Sequence, residues 1–133
     1  MKKAYLAISY SNRKKFNKEI DALKSFFLSK NIDLFVFVDQ YNFKPNEEKL
    51  MMQTAFKAID SCELLIAELT TKSIGVGIEI GYAFAKNIPI LYLHKEKAEY
   101  STTASGSANH HIAYNNETDL IKKLNDLLPK LNI

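Results

Sequence analysis

A single α/β domain, with one parallel sheet covered by helices on both faces, is the fold this sequence predicts. Three observations carry that reading. Apolar, β-rich runs alternate with amphipathic helical patterns from one end of the chain to the other. The runs are near-continuous rather than alternating, as strands buried on both faces are. At 133 residues, 47% hydrophobic and 25% charged, the chain suits one globular domain spanning 1–133, with no linker or repeat to divide it.

The strands expected from the runs are 4–9, 34–38, 64–67 and 88–93, with a weaker fifth at 112–114. Between them, Phe16, Ile20, Leu23 and Phe27 share one helical face, and Leu120, Leu124, Leu127 and Leu131 share another. A further helix is expected to open at Asn46, with Glu47 and Glu48 in a first turn whose dipole favours carboxylates. Asn116, followed three residues on by Asp119, has the form of a capping box. Strands and helices in this order give a parallel sheet with helices on both faces. Ligands of such sheets sit beyond the carboxyl ends of the strands. The segments that matter therefore begin near Ser9, Thr70 and His94.

Composition narrows the function classes. No apolar run approaches the roughly 20 residues of a membrane span, and the short apolar stretch 4–8 reads as a strand rather than a leader. Cys62 is the only cysteine, which rules out an internal disulfide and a cysteine-built zinc cage and suits the cytoplasm. The net charge of +3 is spread over scattered lysines, more like solvated helix faces than a nucleic-acid stripe. A small anionic molecule is the expected partner, with neither nucleic acid nor membrane involved. His110 and His111 are adjacent, so they face opposite ways on a strand, and no third metal ligand is evident. They read as solvated loop histidines. No metal is expected.

The chemistry gathers in one segment. Three of the four glycines fall in Ser73-Ile-Gly75-Val-Gly77-Ile-Glu79-Ile-Gly81, after the third strand and at the opening of a helix that runs to about Lys86. Glycine there lets backbone approach a ligand, and a helix N-terminus offers free N–H groups to an anion. A simple turn with a tight helix–strand contact at Gly81 is the structural alternative. The spacing is neither a dinucleotide fingerprint nor a phosphate-loop motif. Glu79 is expected in the first helical turn, where the dipole should keep it ionised, as a cap or as a carboxylate held at a reacting carbon. Tyr5, Tyr10 and Tyr82 are placed to stack on a base or line the site, and Cys62 should be a small core residue.

The segment 62–91, with Cys-Glu-Leu-Leu-Ile-Ala-Glu-Leu-Thr, Lys-Ser-Ile-Gly-Val-Gly-Ile-Glu-Ile-Gly-Tyr-Ala-Phe-Ala-Lys and Ile-Pro-Ile-Leu, resembles the nucleoside 2-deoxyribosyltransferase superfamily, above all its 2′-deoxynucleoside 5′-phosphate N-hydrolase branch. The resemblance implies a flavodoxin-like Rossmannoid three-layer sandwich, strand order 2-1-3-4-5. It also implies paired subunits that complete each other's sites, and cleavage of an N-glycosidic bond without a cofactor. By that resemblance Glu79 is the nucleophile and Tyr5 lies beside the sugar. Ser73 and Gly75, with Gly77 in the same loop, bind the 5′-phosphate, Ser9 adds to that site, and Ser101 reaches the neighbouring subunit's phosphate site.

Two departures stand out. The family's second acid, which helps the base to leave, aligns with Ala55; Glu48, two helical turns earlier, is the candidate replacement. The arginine expected two residues after Ser9 is Ser11, with Arg13 near enough to substitute. A second resemblance, through Ile8-Ser-Tyr-Ser11, Val38-Asp39 and a glutamate after the third strand, is to TIR domains that cleave NAD. The functions in view are thus an N-glycosidase or deoxyribosyltransferase on nucleosides or nucleoside 5′-monophosphates, a non-catalytic nucleotide-binding module, and a TIR-like NAD glycohydrolase.

Overall fold

A computed structural model describes residues 1–133. Five strands, β1 (Lys2–Ala7), β2 (Ile32–Val36), β3 (Leu64–Glu68), β4 (Ile90–Lys95) and β5 (His110–Tyr114), form one parallel sheet in the order β2-β1-β3-β4-β5. The helices are α1 (Asn17–Leu28), α2 (Phe37–Gln40), α3 (Glu48–Asp60), α4 (Ile74–Ala85), α5 (Thr102–Ser107) and α6 (Glu117–Leu127). A 3-10 helix, Tyr10–Phe16, leads from β1 into α1, and another, Leu128–Lys130, follows α6.

Strand parity sorts the core into two layers. Ala4, Leu6, Leu64, Ile66, Leu91 and Leu93 pack with Ile20, Leu23 and Phe27 of α1 and Leu120 and Leu124 of α6. Tyr5, Ala7, Leu65, Ala67, Ile90 and Tyr92 pack on the other face with Ile59 of α3 and Val76, Ile80 and Ala83 of α4. Each such large aliphatic side chain, once buried, contributes about 1.5–3 kcal/mol.

The expected elements are all present, with shifted ends. β1 and β2 begin two residues early because Lys2 and Lys3 pair with Ile32 and Asp33, so polar strand ends continue a ladder that the apolar run does not announce. Phe37 and Val38 leave the sheet for α2. β4 begins at Ile90, two residues later than expected, after Pro89, which cannot donate to a ladder. α3 starts at Glu48 rather than Asn46, because a turn closes first, with Lys44 N–H donating to the Glu47 carboxylate at 2.8 Å. Asn116 does cap α6 by accepting from Asp119 N–H at 2.9 Å, whereas the Asp119 carboxylate returns to Asn115 N–H instead of closing the box on Asn116. The two histidines lie on β5 and not in a loop. Asn31 and Asn87, at φ 60° and 59°, end α1 and α4 in the left-handed region where glycine is absent.

Candidate active site

Ser73 caps α4, its Oγ accepting from Val76 N–H at 3.4 Å, while Gly77 N–H reaches the Ser73 carbonyl at 3.1 Å. The N–H groups of Ile74 and Gly75 have no partner within the chain and point out of the helix start. The helix begins at Ile74, so the glycines belong to it rather than to a loop, and Glu79 sits in its second turn. That position corrects the expectation of a carboxylate held ionised by the helix dipole, which acts within the first turn.

Glu79 turns toward β1, where the Tyr5 hydroxyl donates a hydrogen bond to Oε2. Tyr5 is fully buried and Glu79 partly so. Burial pushes the Glu79 carboxyl up to about 7, against a smaller downward pull from the Tyr5 hydrogen bond. Burial, then the charge of Glu79, raises the Tyr5 phenol far above its ordinary value. A carboxylate near neutrality at the carboxyl edge of the sheet can act as a nucleophile or accept a proton, and it is poised between the two.

Gly75, four residues before Glu79, shares its face of α4, whereas Gly77 and Gly81 lie on the opposite side. Those two line a cavity of about 360 Å³ between α4 and α5, together with Lys72, Ser73, Ser101, Thr103 and Ser107. A methyl group added at Gly77 or Gly81 would meet nothing within 4 Å, so the tight contact considered for Gly81 does not exist; both positions face open space. Ser101 caps α5, accepting from Ala104 N–H at 3.2 Å, and its own N–H donates to the Tyr92 hydroxyl at 3.0 Å.

The loop after β1 is organised differently from expectation. Ser9 caps the 3-10 helix through Asn12 N–H at 3.3 Å, and its Oγ lies 3.4 Å from that of exposed Ser11. Arg13 is already engaged. It grips Asp39 with two hydrogen bonds of 2.8 and 2.9 Å and Asn17 with a third, so its fork is committed to tying this loop to α2. Glu48 stands exposed at the start of α3, with no hydrogen bond to Tyr5 or Glu79, while Ala55 is 2% exposed. Tyr82, one turn after Glu79 on α4, stacks on Phe56 at 4.3 Å and donates to Asp60, and Tyr10 is 79% exposed.

Three features went unseen in the sequence. Phe35, Phe37, Tyr41 and Phe43 form an aromatic wall beside Tyr5. Buried Glu68 accepts from Thr70 N–H at 2.6 Å, Thr70 Oγ1 at 3.0 Å and the Tyr114 hydroxyl, fixing the loop that leads to Ser73. His111 meets buried His94, Nε2 to Nε2 at 2.7 Å, and burial lowers its affinity for a proton. The Phe-x-Phe spacing at 35–37, with Tyr41 and Phe43 close behind, was the one available signal for the wall.

Known proteins share this fold. The profile of the nucleoside 2-deoxyribosyltransferase family matches residues 4–125. A Syntrophotalea carbinolica protein named as a 2′-deoxynucleoside 5′-phosphate N-hydrolase is 40% identical over 78 residues, 56% of this chain and 55% of that one. The matched stretch therefore spans about half the length of that relative. The CMP N-glycosidase of Clostridium botulinum superposes with a TM-score of 0.69 at 27% identity, covering 93% of this chain and 99% of the other. A 2-deoxyribosyltransferase of Bacillus psychrosaccharolyticus, 12% identical with 90% of each chain covered, shares the fold at a TM-score of 0.69. With a matching profile over nearly its whole length and the same sheet order, the chain belongs to the nucleoside 2-deoxyribosyltransferase family, enzymes of glycosyl transfer and hydrolysis on nucleosides and nucleotides.

Proposed function

We propose that this protein cleaves the N-glycosidic bond of a nucleoside 5′-monophosphate, with Glu79 as nucleophile. The observation that carries the reading is the partly buried Glu79 carboxylate oriented by the Tyr5 hydroxyl. One oxygen accepts from Tyr5, which leaves the other to attack C1′ as the base departs with the bonding electrons. Water, or a second base, then opens the glycosyl ester. The 5′-phosphate is held by the free N–H groups of Ile74 and Gly75 with Ser73, at the positive end of α4. Ser9 leaves β1 beside β3 and can join that phosphate from the adjacent loop.

The protein acts as a homodimer. α4 carries Ile74, Ile78 and Phe84 at 85, 47 and 62% exposure, an apolar face that a second copy would cover, bringing its Ser101 region toward the site. The lone buried Cys62 suits a reducing compartment such as the cytoplasm. No helix is long and apolar enough to cross a membrane.

The test is base release from a panel of nucleosides and nucleoside 5′-monophosphates, with the wild type and Glu79→Gln compared. Turnover should fall about 10³-fold or more in the variant while nucleotide binding persists. Equal turnover would remove Glu79 from the chemistry. Tight nucleotide binding with no base released from any substrate would make the chain a nucleotide-binding module, the reading that the methyl group of Ala55 favours.

A further inference from the structure

Lysines that are scattered along the sequence come together in the fold. A cavity of about 450 Å³ opens between the starts of α1 and α6, lined by Lys14, Lys15, Lys18 and Lys95 and by no hydrophobic residue. It lies across the sheet from Tyr5, because α1 and α6 cover the face opposite to α3 and α4. Two carboxylates share the cavity without neutralising it. Glu19, 6% exposed, is taken by Lys95, whose Nζ lies 3.2 Å from Oε2 and 5.3 Å from the centre of the Phe16 ring. That pair fixes one wall. Glu117 pairs with no lysine, and Glu96 and Asp119, the acids close to Lys95 and Glu117 in the chain, are both held by Lys123, at 3.3 and 3.1 Å. Lys14, Lys15 and Lys18 are exposed and have no ion-pair partner. Held within a few residues of one another they repel, and an anion from outside the chain relieves that repulsion. The N–H groups of Glu117 and Thr118, unpartnered within the chain, add the positive end of α6.

We propose that this cavity is a second anion site, separate from that of Glu79, which binds an oligophosphate chain of two or more phosphoryl groups. Size and charge select the ligand. Four lysines around a space this large exceed what one phosphate group can engage at once, whereas a chain of phosphates spans it. Each ammonium is a compact charge on a flexible stem, suited to following a chain of oxygens rather than one rigid fork. The lining excludes other anions by what it lacks. With no aromatic or aliphatic wall, a nucleobase has nothing to stack on and a fatty tail nothing to pack against, so the phosphates alone are recognised.

The full chain is titrated with tripolyphosphate, orthophosphate and ATP by calorimetry at an ionic strength of about 0.15 M. The expected result is one tripolyphosphate bound per chain, about tenfold or more tighter than orthophosphate, with ATP no tighter than tripolyphosphate. Lys14→Gln with Lys18→Gln, both at exposed positions that leave the fold intact, should raise the tripolyphosphate Kd about tenfold. Lys24→Gln with Lys49→Gln removes the same charge from exposed positions outside the cavity and should change Kd less than about twofold. Glu117→Gln removes the unpaired carboxylate and should tighten binding severalfold. Equal weakening by the two lysine pairs would reduce the site to diffuse attraction and overturn the proposal. Weakening by Ser73→Ala and not by the cavity pair would move the anion to the start of α4 and overturn it too. ATP bound about tenfold tighter than tripolyphosphate through the same lysines would overturn recognition of the phosphates alone. A DNA duplex that outcompetes tripolyphosphate for those lysines would make the face a nucleic-acid surface instead, and no binding at millimolar tripolyphosphate would leave no site at all.

Discussion

On the proposed function, Glu79 ties catalysis and stability to one proton. Its folded-state pKa of about 7 exceeds the ordinary 4.5, so the folded protein binds a proton there more tightly than the unfolded chain does. The linked stability is fully present below about pH 4.5 and is lost as pH rises through about 7. The loss is on the order of 3 kcal/mol. Glu79→Gln carries no such charge and should melt higher than wild type at pH 8, the gap closing below about pH 5; a pH series of thermal melts reads it. Attack by Glu79 needs the ionised form, so kcat/KM should climb with pH and level off above about 7. The Tyr5 hydrogen bond lowers the Glu79 pKa, so Tyr5→Phe should move that rising limb to higher pH. A limb that stays in place would mean that another group controls the rate.

At the scale of elements, the loop between β3 and α4 is held at both ends. Glu68, 3% exposed and with its pKa raised by burial, gathers Thr70 and Tyr114 at one end, and the Ser73 cap sets the other. Tyr114→Phe removes one of these bonds and should cost about 1–2 kcal/mol, lowering Tm by roughly 3–6 °C. Ser73→Ala should cost about 1 kcal/mol of helix stability. It should also weaken binding of a nucleoside 5′-monophosphate more than of the nucleoside, as calorimetry on the matched pair would report. Equal weakening of both ligands would separate Ser73 from the phosphate. The α5 helix depends on its surroundings more than on its own residues. Thr-Thr-Ala-Ser-Gly-Ser is a poor helical sequence, and it is the Ser101 cap, anchored on the Tyr92 hydroxyl, that starts it. Nothing in that local pattern signalled a helix, so the segment read as a loop.

For the whole molecule, the exposed apolar face of α4 is the feature that a monomer leaves unexplained. Light scattering at micromolar concentration should report a dimer, and Ile78→Glu with Phe84→Glu should yield a monomer that still folds. A monomeric wild type would separate Ser101 from any role in a partner's site. The alternation of strands and helices, the two-faced burial of the sheet and the cap at Asn116 were legible in the sequence because each rests on local periodicity or on contacts a few residues apart. The glycine and glutamate segment was legible for the same reason. Only the tertiary structure decided the chemistry of those groups. It set Glu79, partly buried, against Tyr5, 74 residues away, gave Arg13 to Asp39, left Glu48 in solvent, and brought Phe37, Tyr41 and Phe43 to the wall beside Tyr5. Burial and charge pairing are properties of what the folded chain brings together from distant positions, and no local spacing encodes them.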